Sequence, residues 1–120
     1  MHRDIKAANI LIRDDGICQL ADFGSSKKII EQTQQGTKSF CGTPYWMAPE
    51  MVKQTGHTRF ADIWSLGCTV YEMIAKEPPW KEKQENSILK IFNKISNMTE
   101  PPEYPKNISK ELRDFLNSCF

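Results

Sequence analysis

A chain of 120 residues is one ordinary domain or a piece of a larger one, long enough to bury a core. Sixteen Lys plus Arg against fifteen Asp plus Glu leave a formal charge of +1. That balance recommends no nucleic acid and no solvating acidic tail. No stretch approaches the ~20 apolar residues of a membrane span, and Arg3 and Asp4 leave no room for an apolar signal core after Met1. Cys18, Cys41, Cys68 and Cys119 are scattered without a C-x-x-C or a paired histidine. This argues against zinc and against a disulfide framework, and for reduced thiols in a cytoplasmic setting.

The first twenty-four residues carry the densest chemistry. His2-Arg3-Asp4-Ile5-Lys6-Ala7-Ala8-Asn9 fits H-R-D-L-x-x-x-N with Ile for Leu, and Asp22-Phe23-Gly24 begins thirteen positions after Asn9. Phosphoryl transfer from a nucleotide leaves a protein little covalent work, so groups must be positioned and charge offset. It needs a carboxylate near the attacking hydroxyl, a cation near the transferred phosphate, and oxygen ligands for Mg²⁺. Asp4, Lys6, Asn9 and Asp22 are those groups. Residues 10–12 and 17–21 read as two short strands, with Asp14-Asp15-Gly16 as the turn between them. Such a hairpin brings Asn9 and Asp22 side by side. Arg3 suits bidentate phosphate recognition, whereas His2 reads as a packed, hydrogen-bonded histidine.

Residues 25–41 are rich in Ser, Thr, Gln and Lys, with Ile29-Ile30 their only apolar pair, too little to order the segment cheaply. A loop of that length is usually functional or disordered. Pro49 to Gly56 reads as a short helix, with Pro near its first turn and Gly after its end. The clearest helix spans 61–76. Ile63, Leu66, Gly67, Val70, Tyr71 and Ile74 recur on one face, and Trp64, Cys68 and Met73 widen it. Pro78-Pro79 ends it. Residues 87–95 carry Ile88, Ile91, Phe92 and Ile95 at helical spacing, 100–105 form a proline-rich connection, and Ser109 can cap a last helix. In that helix Leu112, Phe115, Leu116 and Cys119 make the apolar stripe.

Together these segments resemble the catalytic core of eukaryotic protein kinases. Gly42-Thr43-Pro44-Tyr45-Trp46-Met47-Ala48-Pro49-Glu50 resembles the peptide-positioning loop of that family, and Asp62-Ile63-Trp64-Ser65-Leu66-Gly67 the start of its central large-lobe helix. Three motifs in family order and spacing are far more specific than any one. The resemblance covers essentially the whole chain. It implies an α+β protein-kinase-like fold, this chain being the mostly helical C-terminal lobe with a short β-hairpin at its start. Residues 1–120 would then be a partial kinase domain, without the Gly-rich loop, strand Lys and paired Glu of the N-lobe and without the end of the C-lobe.

The resemblance also implies roles. Asp4 would be the catalytic base, or the group that orients the substrate hydroxyl, with Lys6 balancing the transferred phosphate. Lys6, Asn9, Leu11 and Asp22 would bind ATP, with Asn9 and Asp22 ligating Mg²⁺ and Leu11 lying under the adenine. Lys two positions after the Asp goes with serine/threonine specificity. Ala8, where kinases preferring basic substrates often carry Glu, offers a substrate arginine no partner. Residues 25–41 would be the activation loop. Thr37, Ser39 and Thr43 are the candidate regulatory hydroxyls within reach of its far end, and a phosphate on Thr37 or Ser39 would bridge to Arg3 and to Lys27 or Lys28. Gly42, Thr43 and Pro44 would position the peptide, the Thr43 hydroxyl bonding Asp4 and Lys6, and Asp62 would brace the catalytic loop. Residues 21–28, 42–50, 54–57 and 61–65 resemble MAP kinase kinase kinases of the plant ANP type, from which Ala7 departs where Gly is usual. That likeness implies a MAP kinase kinase as protein substrate and an upstream activating kinase as partner. The rival is a catalytically inactive lobe acting by protein binding. All four of Asp4, Lys6, Asn9 and Asp22 stand, which favours the enzyme for the parent protein. The isolated 120 residues are expected to be inactive and prone to aggregate.

Overall fold

A computed structural model describes residues 1–26, 43–56, 58–81 and 87–120. The expected positions Thr37, Ser39 and Gly42, with Lys27 and Lys28, lie outside the described residues. The described elements are a two-stranded antiparallel sheet and four α-helices, with one-turn 3₁₀ segments at Ala7–Asn9, Phe23–Ser25 and Pro44–Trp46. Strand β1 (Ile10–Ile12) pairs with β2 (Cys18–Leu20) in the register Ile10↔Leu20, Leu11↔Gln19, Ile12↔Cys18. Gly16 at φ +82° supplies the left-handed turn residue that a Cβ would disfavour. The Arg13 N–H to Ile17 O bond closes the turn at 3.0 Å.

The helices are α1 (Pro49–Val52), α2 (Phe60–Ala75), α3 (Ile88–Asn97) and α4 (Lys110–Cys119). Helix α1 is shorter than the sequence suggests. Gln54, at φ +53°, turns the chain two residues before the expected glycine stop. Helix α4 begins where Ser109 caps it, its Oγ accepting the Leu112 N–H at 3.2 Å. Helix α2 ends on Lys76 in the left-handed conformation, whose N–H reaches Glu72 O, ahead of the two prolines.

The face of α2 turned to the core overlaps the expected one at Trp64, Gly67 and Cys68 and is otherwise rotated from it. Ala61, Trp64, Ser65, Gly67, Cys68 and Thr69 are buried, while Ile63 and Met73 are exposed. Small residues allow close approach. The Thr69 hydroxyl donates to Ser65 O one turn back, and the single Ser65 hydroxyl hydrogen lies between Ala61 O, one turn back, and Trp46 O outside the helix. Counting large apolar residues alone therefore points to the neighbouring face. Around the buried face gather Met47, Ala48, Met51, Trp80, Ile91 and Ile95. Trp64 stacks on Trp80 at 6.0 Å, and Phe120 meets both rings edge-on. The hairpin by contrast exposes Leu11, Ile12, Ile17 and Leu20. Among the described residues no helix is long and apolar enough to cross a membrane.

Gly67 marks the crossing of α2 and α4. A Cβ there would lie 2.5 Å from Cys119 Cβ and 3.3 Å from the Phe120 ring. Gly67→Val should therefore destabilise the fold by about 1–3 kcal/mol through overpacking. The midpoint of denaturant unfolding of the full-length protein checks this, and an unchanged midpoint would mean that α4 is not held against α2.

Candidate active site

The loop before β1 is held from a distance. The Asp62 carboxylate, in the first turn of α2, accepts the backbone N–H of His2 on Oδ2 and of Arg3 on Oδ1, both at 2.8 Å. Arg3 sits at φ +69°, a region costly for a side chain with a Cβ, and the paired bonds to Asp62 hold it there. The buried His2 ring donates from Nε2 to Ala21 O at 3.0 Å, as the carbonyl can only accept. Arg3 Nε donates to Ser25 O. The loop is thus tied both to α2 and to the segment after β2.

On this loop Asp4 is the centre of a closed set of bonds. Thr43 Oγ1 donates to Asp4 Oδ1 at 2.9 Å and accepts from Lys6 Nζ at 2.8 Å. Lys6 Nζ lies 3.0 Å from Asp4 Oδ2, which also accepts from Asn9 Nδ2 at 3.0 Å. Burial pushes the Asp4 carboxyl up, but hydrogen bonds from Lys6, Thr43 and Asn9 and the Lys6 charge outweigh it, leaving Asp4 below the usual carboxylate range. A carboxylate offers about four acceptor sites. Three are taken by these donors, which leaves room for one more.

The hairpin brings Asn9 and Asp22 to one end, where Ala21 N–H donates to Asn9 O at 2.8 Å. Asn9 Nδ2 is engaged with Asp4 O and Oδ2, so the amide presents its oxygen away from Asp4. Asp22, exposed and at φ +58°, accepts Gly24 N–H on Oδ1 at 3.2 Å. Hard oxygen donors of this kind suit Mg²⁺, which favours one or two protein carboxylates together with substrate phosphates. Leu11 is exposed on β1, opposite Gln19. Pro44 is the first residue of the 3₁₀ turn that Thr43 introduces.

The protein kinase domain model matches residues 1–120. The chain belongs to the protein kinase family. It is 51% identical over 120 residues to mitogen-activated protein kinase kinase kinase 3 of Arabidopsis thaliana, covering 99% of this chain and 18% of that protein. It is 50% identical to the ANP1 protein of the same class and organism, with the same coverage. To mitogen-activated protein kinase kinase kinase A of Dictyostelium discoideum it is 50% identical, covering 100% of this chain and 12% of that protein. The chain thus spans under a fifth of the length of these relatives.

One residue of this kinase segment carries more than sequence reading assigned to it. Ser65 Oγ donates to Trp46 O at 2.7 Å, linking α2 to the turn after Thr43. Its signal was a hydroxyl between Trp64 and Leu66, three positions after Asp62 on a helix.

Two outcomes follow for this candidate site. Asp62→Ala leaves the N–H groups of His2 and Arg3 without their acceptor, at about 1–3 kcal/mol each. Amide exchange at residues 2 and 3 should then accelerate ahead of the rest of the chain, and unchanged protection would contradict the bracing. The folded-state pKa of Asp4 lies below its ordinary value of 3.8. Its ionised form therefore adds stability above that pH, and the contribution is lost as pH falls through the lowered value. The stability advantage of the wild-type protein over Asp4→Asn should be full at pH 7 and shrink below 3.8, as denaturant unfolding across that range would measure.

Proposed function

We propose that this chain is the catalytic-loop portion, within the helical C-terminal lobe, of an ATP-dependent protein serine/threonine kinase acting in a MAP kinase cascade. The observation that carries the reading is the closed set of Asp4, Lys6, Thr43 and Asn9, with Asp22 at the neighbouring hairpin end. In this reading a substrate hydroxyl takes the remaining acceptor site of Asp4. Its oxygen bonds to the γ-phosphorus as the bond to the β-phosphate oxygen breaks, and ADP departs with that electron pair. The hydroxyl proton passes to Asp4 or to water. A carboxylate held below its usual range is a weak base at neutral pH and a good acceptor, so orientation is the larger part of its work. Lys6 lies beside Asp4, where its charge offsets that of the transferred group. Asn9 and Asp22 would hold Mg²⁺, which supplies charge neutralisation at the phosphates when bound.

A protein substrate such as a MAP kinase kinase is supported by the names of the relatives. Asp4→Asn and Asp22→Asn in the full-length protein should each lower phosphorylation of such a substrate by roughly 10²–10⁴-fold. Near-normal turnover in both would overturn the reading.

Regulation by phosphate on Thr37 or Ser39 belongs to the same proposal. Arg3 engages Ser25 O through Nε, and its two terminal nitrogens make no bond among the described residues. Charge-assisted bonds contribute about 1.5–3 kcal/mol each, so two would order a loop by a hundredfold or more. The combined Thr37→Ala, Ser39→Ala variant should lose the gain given by an activating kinase, and retained activation would place the switch elsewhere.

A further inference from the structure

Asp62 and Ser65 lie three residues apart on α2, and each reaches out to a different part of the site. Asp62 holds the loop that bears Asp4 and Lys6. Ser65, 4% exposed, has one hydroxyl hydrogen and two acceptors, Trp46 O at 2.7 Å and Ala61 O at 2.9 Å. The bond to Ala61 O stays within the helix. The shorter one spans nineteen residues of sequence and fixes the end of the 3₁₀ turn over Pro44–Trp46. From there Trp46 N–H donates to Thr43 O at 3.0 Å, and Thr43 Oγ1 bridges Asp4 and Lys6. A continuous series of hydrogen bonds therefore runs from a buried helix hydroxyl to the reacting groups.

We propose that Ser65 is a positioning residue for the polypeptide substrate. By pinning the Trp46 carbonyl it sets the loop on which a peptide would rest and, through Thr43, its distance from Asp4. The proposal rests on the kinase reading above. The nucleotide would meet Lys6, Asn9 and Asp22, and among the described residues Lys6 alone of these three bonds to the loop that Ser65 holds. The effect should consequently fall on the protein substrate.

The test is Ser65→Ala in the full-length protein, a change that removes one oxygen and suits a helix interior. The expected result is a rise of about tenfold in KM for the protein substrate, as one buried hydrogen bond is worth, with KM for ATP unchanged. The thermal midpoint should move by less than about 4 °C. An unchanged KM for the protein substrate, or an equal rise in KM for ATP, would overturn the proposal. Amide exchange is measured in parallel. In Ser65→Ala the Trp46 and Met47 N–H groups should exchange about tenfold faster while the middle of α2 stays protected, and unchanged exchange there overturns the tether. Should the wild-type protein transfer no phosphate, the kinase reading fails, and the exchange result alone decides whether Ser65 holds the loop.

Discussion

Two backbone N–H groups, those of His2 and Arg3, converge on the carboxylate of Asp62, about sixty residues away in the chain. Without this acceptor the loop before β1 would have to hold Arg3 in a left-handed conformation unaided. Charge-assisted bonds are roughly twice as strong as neutral ones, so a carboxylate is well suited to the task. The helix that carries it is itself fixed by the stack of Trp64 on Trp80 and by the close crossing with α4 at Gly67. Packing in the core thus becomes precision at Asp4. The side chains that face one another across the site are borne on short irregular segments and owe their placement to α2.

Such an arrangement divides the labour between two kinds of structure. The core from Met47 to Ile95 is apolar and densely aromatic, and contains none of the groups proposed for chemistry. The site is polar and partly exposed, and the hairpin beside it leaves Leu11, Ile12, Ile17 and Leu20 in contact with solvent. Exposed apolar side chains on both faces of so short a hairpin give it little stability of its own. Its order depends on the Ala21–Asn9 bond and on the His2 and Arg3 bonds that flank it.

Much of this was legible before any coordinates. The two short strand-like runs and the turn at Asp14-Asp15-Gly16 located the hairpin, and the chain reversal there made the approach of Asn9 and Asp22 a matter of geometry. Ser109 announced α4, and the apolar period announced α2. The buried face of α2 was legible only in part: Trp64, Gly67 and Cys68 stood in the expected surface, but Ser65 and Thr69 score as polar, and only their hydrogen bonds to carbonyls make them suited to burial. The early end of α1 at Val52 was equally hidden, since the left-handed turn falls on Gln54, where glycine would be the usual signal. Nor could periodicity reveal that the Ser65 hydroxyl reaches Trp46. That contact depends on where a separate segment lies, and such information is tertiary.

The most direct measurement is a crystal structure of the full-length protein with Mg²⁺ and a non-hydrolysable ATP analogue. Asn9 Oδ1 and an Asp22 carboxylate oxygen should each stand about 2.0–2.1 Å from a metal ion that also binds phosphate, with Lys6 and Asp4 at the terminal phosphate. A nucleotide bound with its phosphates remote from Asp4, or a metal ligated by neither Asn9 nor Asp22, would contradict the assignment of this site.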